Sequence, residues 1–246
     1  MRRPKWLPRG VTVLPLALAA VLWGAVSMGG DWRTASREPA GLAPDPASTT
    51  EAVVQVYAAR AWGWRGVFGV HSWVAAKPTG ASRYTVYEVI GWRLYRGGTS
   101  LSISHRAPDA RWFGSMPEVV AEIRGDGVDA AIERIDREAR RYPFAGEYTV
   151  WPGPNSNTLT AWLGRAAPEL KLDLPPTAIG KDYLPGGTVL AETPSGTGYQ
   201  FSLWGAFGIL VGKEEGLEIN LLGLTFGVDP LGLAVKLPGV GRVGAT

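Results

Sequence analysis

Residues 11–30, VTVLPLALAAVLWGAVSMGG, run without a single charged side chain directly after Arg2, Arg3, Lys5 and Arg9. As a helix, a stretch of that length just crosses a hydrocarbon core of roughly 30 Å. The basic residues ahead of it favour a cytoplasmic N-terminus, which puts everything from Asp31 onward on the other side. A cleaved signal peptide has the same basic start, and Ala25-Val26-Ser27 would supply its small-residue site. The length of the run, with Trp23 and Trp32 as interface anchors, favours an uncleaved single-pass anchor. Both readings give one extracytoplasmic compartment. The chain has no cysteine, which excludes lipid attachment through a thiol and a disulfide framework.

The same segment explains the net charge of +3. Setting its four cations aside leaves 21 of the 25 basic residues against 22 acids, a net of −1. No basic face remains to displace counterions from a phosphate backbone, so nucleic acid is not an expected partner. There is no P-loop, no G-x-G-x-x-G and no metal-ligand spacing, and neither cofactor nor metal is expected.

Residues 31–50, rich in Pro, Ala, Ser and Thr, read as a flexible linker. A single α+β domain is expected over 51–246, mainly antiparallel sheet with a few packed helices; 33 Gly and 19 Pro argue for many turns. Strands are predicted over 52–57, 66–77, 84–93 and 101–105, the second placing His71 and Trp73 on one face and Val70, Ser72 and Val74 on the other. A helix is predicted at 117–124 from its proline start and glutamates. A second is predicted at 128–141, where Val128, Ala131, Ile132, Ile135 and Ala139 recur at helical spacing. A third follows Asn155 as N-cap. The apolar runs 200–211 and 217–228 read as one long β-hairpin rather than a second membrane span, because the first is too short and the second carries Glu218 and Asn220.

Candidate chemistry is narrow, since the only histidines are His71 and His105. In Trp151-Pro152-Gly153-Pro154-Asn155-Ser156-Asn157, a turn delivers Ser156 onto a helix start, beside unpaired N–H groups and the positive end of the helix dipole. Such a place suits a nucleophile or an oxyanion, and equally a helix cap. His71 on a strand is the available base. Glu88 on the next strand is the best group to orient it, followed by Tyr87 and then Asn157.

The runs VQVYAARAWGWRGVFGVHSWVAAKP, YTVYEVIGWRLYR and FAGEYTVWPGPNSNT resemble the bacterial family catalogued as domain of unknown function 3750, over about 52–184. More remotely, histidine on an early strand, acid on the next and nucleophile on a later helix is similar to circularly permuted papain-like enzymes, the NlpC/P60 and lecithin:retinol acyltransferase group. That resemblance implies His71 as base, Glu88 as the orienting group and Ser156 where those enzymes carry cysteine; by the helix-start reading, N–H groups around Ser156 and Asn157, with Asn155, would hold the oxyanion. Two functions follow as expectations. One is a hydrolase or acyltransferase at the bacterial inner membrane, acting on peptidoglycan peptide, lipid or another envelope component. The other is a non-catalytic envelope binding or scaffold protein using the same cleft.

Overall fold

Alternation of apolar side chains with polar ones along short, turn-bounded segments makes sheet the main element of this chain, and two sheets form. A computed structural model describes residues 31–244. The expected anchor at 11–30 lies outside the described residues; within them, no helix is long and apolar enough to cross a membrane.

The first sheet has the order β4-β3-β2-β1-β5, all antiparallel, from β1 (Val53–Arg60), β2 (Val70–Lys77), β3 (Thr85–Val89), β4 (Leu101–Ser104) and β5 (Glu118–Arg124). The predicted helix at 117–124 is thus a strand. Its β-branched Val119, Val120 and Ile123 suit a pleat, and the open edge of β1 supplies hydrogen-bond partners that an isolated two-turn helix lacks. Helix α1 (Val128–Arg140) buries the five apolar residues its spacing singled out. Helix α2 (Ser156–Ala166) starts at Asn155, whose side chain accepts from the Asn157 N–H while Thr158 completes a capping box.

Both faces of this sheet are covered. Val54, Val56, Val74, Ala76 and Tyr87 pack against the helices with Ile135, Leu159 and Leu163. On the other face Val53, Tyr57, Trp73, Ala75 and Val86 meet Ala43 and Trp112. The stretch expected as a flexible linker forms part of that cover. The buried Asp109 carboxylate accepts from the N–H groups of Leu42 (2.6 Å) and Ala43 (3.2 Å), and Pro39 bridges to Ala110. Local composition hides this because the partners of 36–44 come from about seventy residues downstream.

The second sheet is a meander in the order β12-β11-β10-β9-β8-β7-β6. Its strands are β6 (Leu190–Glu192), β7 (Gly198–Leu203), β8 (Phe207–Gly212), β9 (Gly216–Leu221), β10 (Leu224–Asp229), β11 (Ala234–Leu237) and β12 (Gly241–Gly244). The single long hairpin expected here is divided by extra tight turns, Trp204–Ala206 and Leu222–Gly223. Trp204-Gly205 and Leu222-Gly223 hold positive φ at both positions (49° and 68°, 52° and 78°), the conformation that closes a tight hairpin with the twist of its strands.

The polarity of this sheet is inverted. One row across its outer face is Tyr199, Val211, Leu217, Val228, Val235, Val243; a second is Leu190, Phe201, Ile209, Ile219, Phe226. All of these side chains are exposed. The inner face carries Gln200, Ser202, Glu218, Asn220, Thr225 and Lys236, all buried. These meet the segment after α2. The Lys181 ammonium pairs with Glu218, and Lys236 reaches Glu218 (2.7 Å), Asp173 (2.6 Å) and the Glu215 carbonyl (2.8 Å). Asn220 donates to Asp182 (2.9 Å), and Arg165 of α2 donates to Gln200 (2.8 Å).

Candidate functional site

Strand pleat decides what reaches the site. On β2, Ser72 faces α2, its hydroxyl 2.8 Å from both Asn157 Oδ1 and Thr160 Oγ1. His71 points to the opposite face. There its Nε2 lies 3.3 Å from Glu88 Oε2, and the Arg106 guanidinium grips the same carboxylate from its far side (2.9 and 3.1 Å). The His71 ring stacks on Trp112, with centroids 3.4 Å apart and planes 9° from parallel. Arg106 also lies over the Trp73 ring at 5.0 Å.

Burial lowers the His71 pKa below its usual value, and its removal from water outweighs the upward pull of Glu88. Burial by itself would raise the Glu88 carboxyl, but hydrogen bonds from His71 and Arg106 overcome it and hold it at about 2. At neutral pH the pair is therefore a neutral imidazole bonded to a carboxylate. The carboxylate can only accept, so Nε2 carries the proton and Nδ1 keeps its lone pair.

This group opens into a cavity of about 770 Å³. Aromatic side chains form most of the wall, among them Trp32, Trp62, Trp64, Trp92, Trp112, Phe113 and Trp151. The charged residues on the wall are Arg37, Arg65 and Arg96, with no acid among the lining residues.

Ser156 lines the same cavity and is buried, but it arrives from the other side of the sheet end. No hydrogen bond joins its hydroxyl to His71 among the described residues. The cavity therefore gathers Ser156 and His71 without pairing them, because the residue of β2 that faces the helix is Ser72. Tyr87 does not reach the site: it faces the helices and donates to Asp136 (3.1 Å). The Asn155 carboxamide donates to the Val150 and Ile179 carbonyls, and that of Asn157 donates to the carbonyls of Val70 and Ile179. The Asn157 N–H is also spent, on Asn155. Both asparagines thus hold the helix start in place, and among the described residues no hydrogen bond takes up the Ser156 N–H. Sequence reasoning missed Arg106 and Trp112, which come from loops; the adjacent His105 turns away to the Tyr84 carbonyl.

An antiparallel α+β lobe with an aromatic cavity over a buried His–Glu–Arg relay is the class that fold and site define. The chain belongs to the family described as "Protein of unknown function (DUF3750)", whose model matches residues 51–183. No curated protein and no solved structure matches the chain. The matched span holds the first sheet, both helices, His71, Glu88, Arg106 and Ser156, and ends before the second sheet begins.

Proposed function

We propose that this is an envelope protein, tethered at its N-terminus, that takes an anionic amphiphile into the aromatic cavity. One observation carries the reading: a wall of tryptophans interrupted only by arginines among charged residues. Stacked rings offer a large apolar surface to an acyl, prenyl or ring system. Three guanidinium groups without a competing carboxylate suit a carboxylate or phosphate head. A diazirine-bearing fatty acid photo-crosslinked to the full chain tests this. Crosslinks are expected on peptides carrying Trp64 and Trp112, with a marked loss of labelling in Arg65→Glu/Arg96→Glu. Crosslinks scattered outside the cavity and unchanged in that variant would refute it.

A second reading, acyl hydrolysis or transfer on the remote likeness to permuted papain-like enzymes, is favoured by the state of His71. A neutral imidazole oriented by Glu88, with Nδ1 unpaired among the described residues, is fit to take the Ser156 proton once a substrate draws the two together. Ser156 Oγ would bond to the acyl carbon, its proton passing through His71 to the departing group. Labelling by a fluorophosphonate on wild type and Ser156→Ala decides this reading. Labelling lost in the variant supports it, and equal labelling of both proteins ends it.

A further inference from the structure

The outer face of the second sheet, outside the family match, has no use in either reading. Six consecutive strands align Tyr199, Val211, Leu217, Val228, Val235 and Val243 in one uninterrupted row, all exposed. Water-facing strands ordinarily carry the polar residues, and here the charged ones are turned inward. An apolar surface of this extent marks a contact surface rather than a solvated one.

We propose that this face lies on a lipid bilayer. The first argument is where the undescribed chain ends. The charge-free run 11–30 joins the domain at Asp31, and Trp32 already sits on the cavity wall. If that run spans the membrane, the domain is held within a few ångströms of the lipid surface. The second argument is where the sheet's turns lie. Gly223 abuts Trp151 and Ile179, and Gly239 abuts Phe68, all three being cavity residues. The end of the sheet bearing the exposed tips Trp204, Leu222 and Val240 therefore borders the same cavity as the tether.

Charge is the third argument. Arg37, Arg65 and Arg96 at that cavity complement anionic headgroups, whose surface potential attracts exposed cations. A second copy is the less fitting occupant. The two central rows hold one hydroxyl, on Tyr199, one charge, on Glu192 at the β6 edge, and no amide to set a register, whereas protein interfaces of standard size carry about ten hydrogen bonds.

The chain lacks cysteine, so one can be introduced and labelled without background. The full chain carrying Ile219→Cys with a nitrobenzoxadiazole label would be reconstituted into phosphatidylethanolamine–phosphatidylglycerol vesicles, with Arg137→Cys on α1 as the control. The label at 219 is expected to lose most of its emission to brominated acyl chains and little to aqueous iodide, with the control showing the reverse. Free access of iodide to 219 would overturn the proposal. Shielding from both quenchers would also overturn it. If that shielding grew with protein-to-lipid ratio, a second copy would be the occupant; if it did not, residues of the same chain would be.

Discussion

The two sheets answer one problem, how to bury a face, in opposite ways. The first packs aliphatic and aromatic residues on both faces; of its buried charges, Glu88 belongs to the site and Lys77 is held at the sheet end by the Glu51 and Pro78 carbonyls. The second turns Glu218, Lys236 and Asn220 inward and its aliphatic residues outward. Hydrophobic burial holds the first lobe together without fixing any one partner for each residue. The second is fixed to the first by ion pairs and amide hydrogen bonds, which tolerate one geometry and fail when a member is lost. A sheet docked in this way is free to present its apolar side elsewhere.

The sharpest way to break the contrast is Glu218→Ala. It leaves Lys181 and Lys236 buried, Lys181 with no remaining salt bridge among the described residues, and removing one partner of such a pair costs about 3–5 kcal/mol. Thermal unfolding should show either a large drop in midpoint or an early separate transition for residues 190–244. A loss under about 1 kcal/mol would mean that the polar seam does not hold the second sheet. In the first lobe, Leu159→Ala removes a fully buried side chain from the helix–sheet core, at about 2–5 kcal/mol. Here the whole transition should move without splitting, since no seam is involved.

How far the sequence reveals this design follows from how local each cause is. Helices α1 and α2 were legible because spacing and the Asn155 cap are local signals, and β1 to β4 because runs of β-branched and aromatic residues lie between turn signals, although the ends expected at 66–67 and 91–93 form 3-10 turns. The histidine–carboxylate pair was legible because adjacent strands bring like-facing residues together. Strand β5 and the arm at 31–50 were misread because partners distant in sequence supply their hydrogen bonds. The second sheet was undercounted because Trp204 and Leu222 adopt left-handed turn conformations that ordinary turn residues would have announced. Ser156 could not be paired with His71 by residue order, since order does not report which side of the pleat meets the helix. Arg106 had no local signal at all.

The relay gives the first lobe a histidine step that the second-sheet seam lacks; in the seam burial raises Asp173 and Asp182, while Lys181 and Lys236 outweigh burial and lower Glu218. His71 titrates below its usual 6.5 in the folded chain, so the unfolded chain binds that proton first, and stability is present above 6.5 and declines as pH falls below it. Glu88 is depressed from 4.5 to about 2, so its contribution is present above 4.5 and is lost as pH falls towards 2. Both act in the same direction, giving acid lability in two steps. Arg106→Ala should raise the Glu88 carboxyl by about 1–3 units and narrow the second step. His71→Gln should abolish the first. Acid unfolding of the three proteins checks both statements, and identical profiles would contradict the relay.

The smallest effect tests the comparison most closely. Ile219 stands in the middle of the outer face and is 41% exposed. In buffer free of lipid and detergent, Ile219→Ser should cost about 1 kcal/mol or less, because much of that side chain was never removed from water. Leu159→Ala, a change of similar size, should cost several times more, and the ratio of the two measures how little of the outer face serves folding. If Ile219→Ser instead matched Leu159→Ala without lipid, the face would be covered within the molecule itself. The inverted sheet would then be an interior layer, and its difference from the first sheet would disappear.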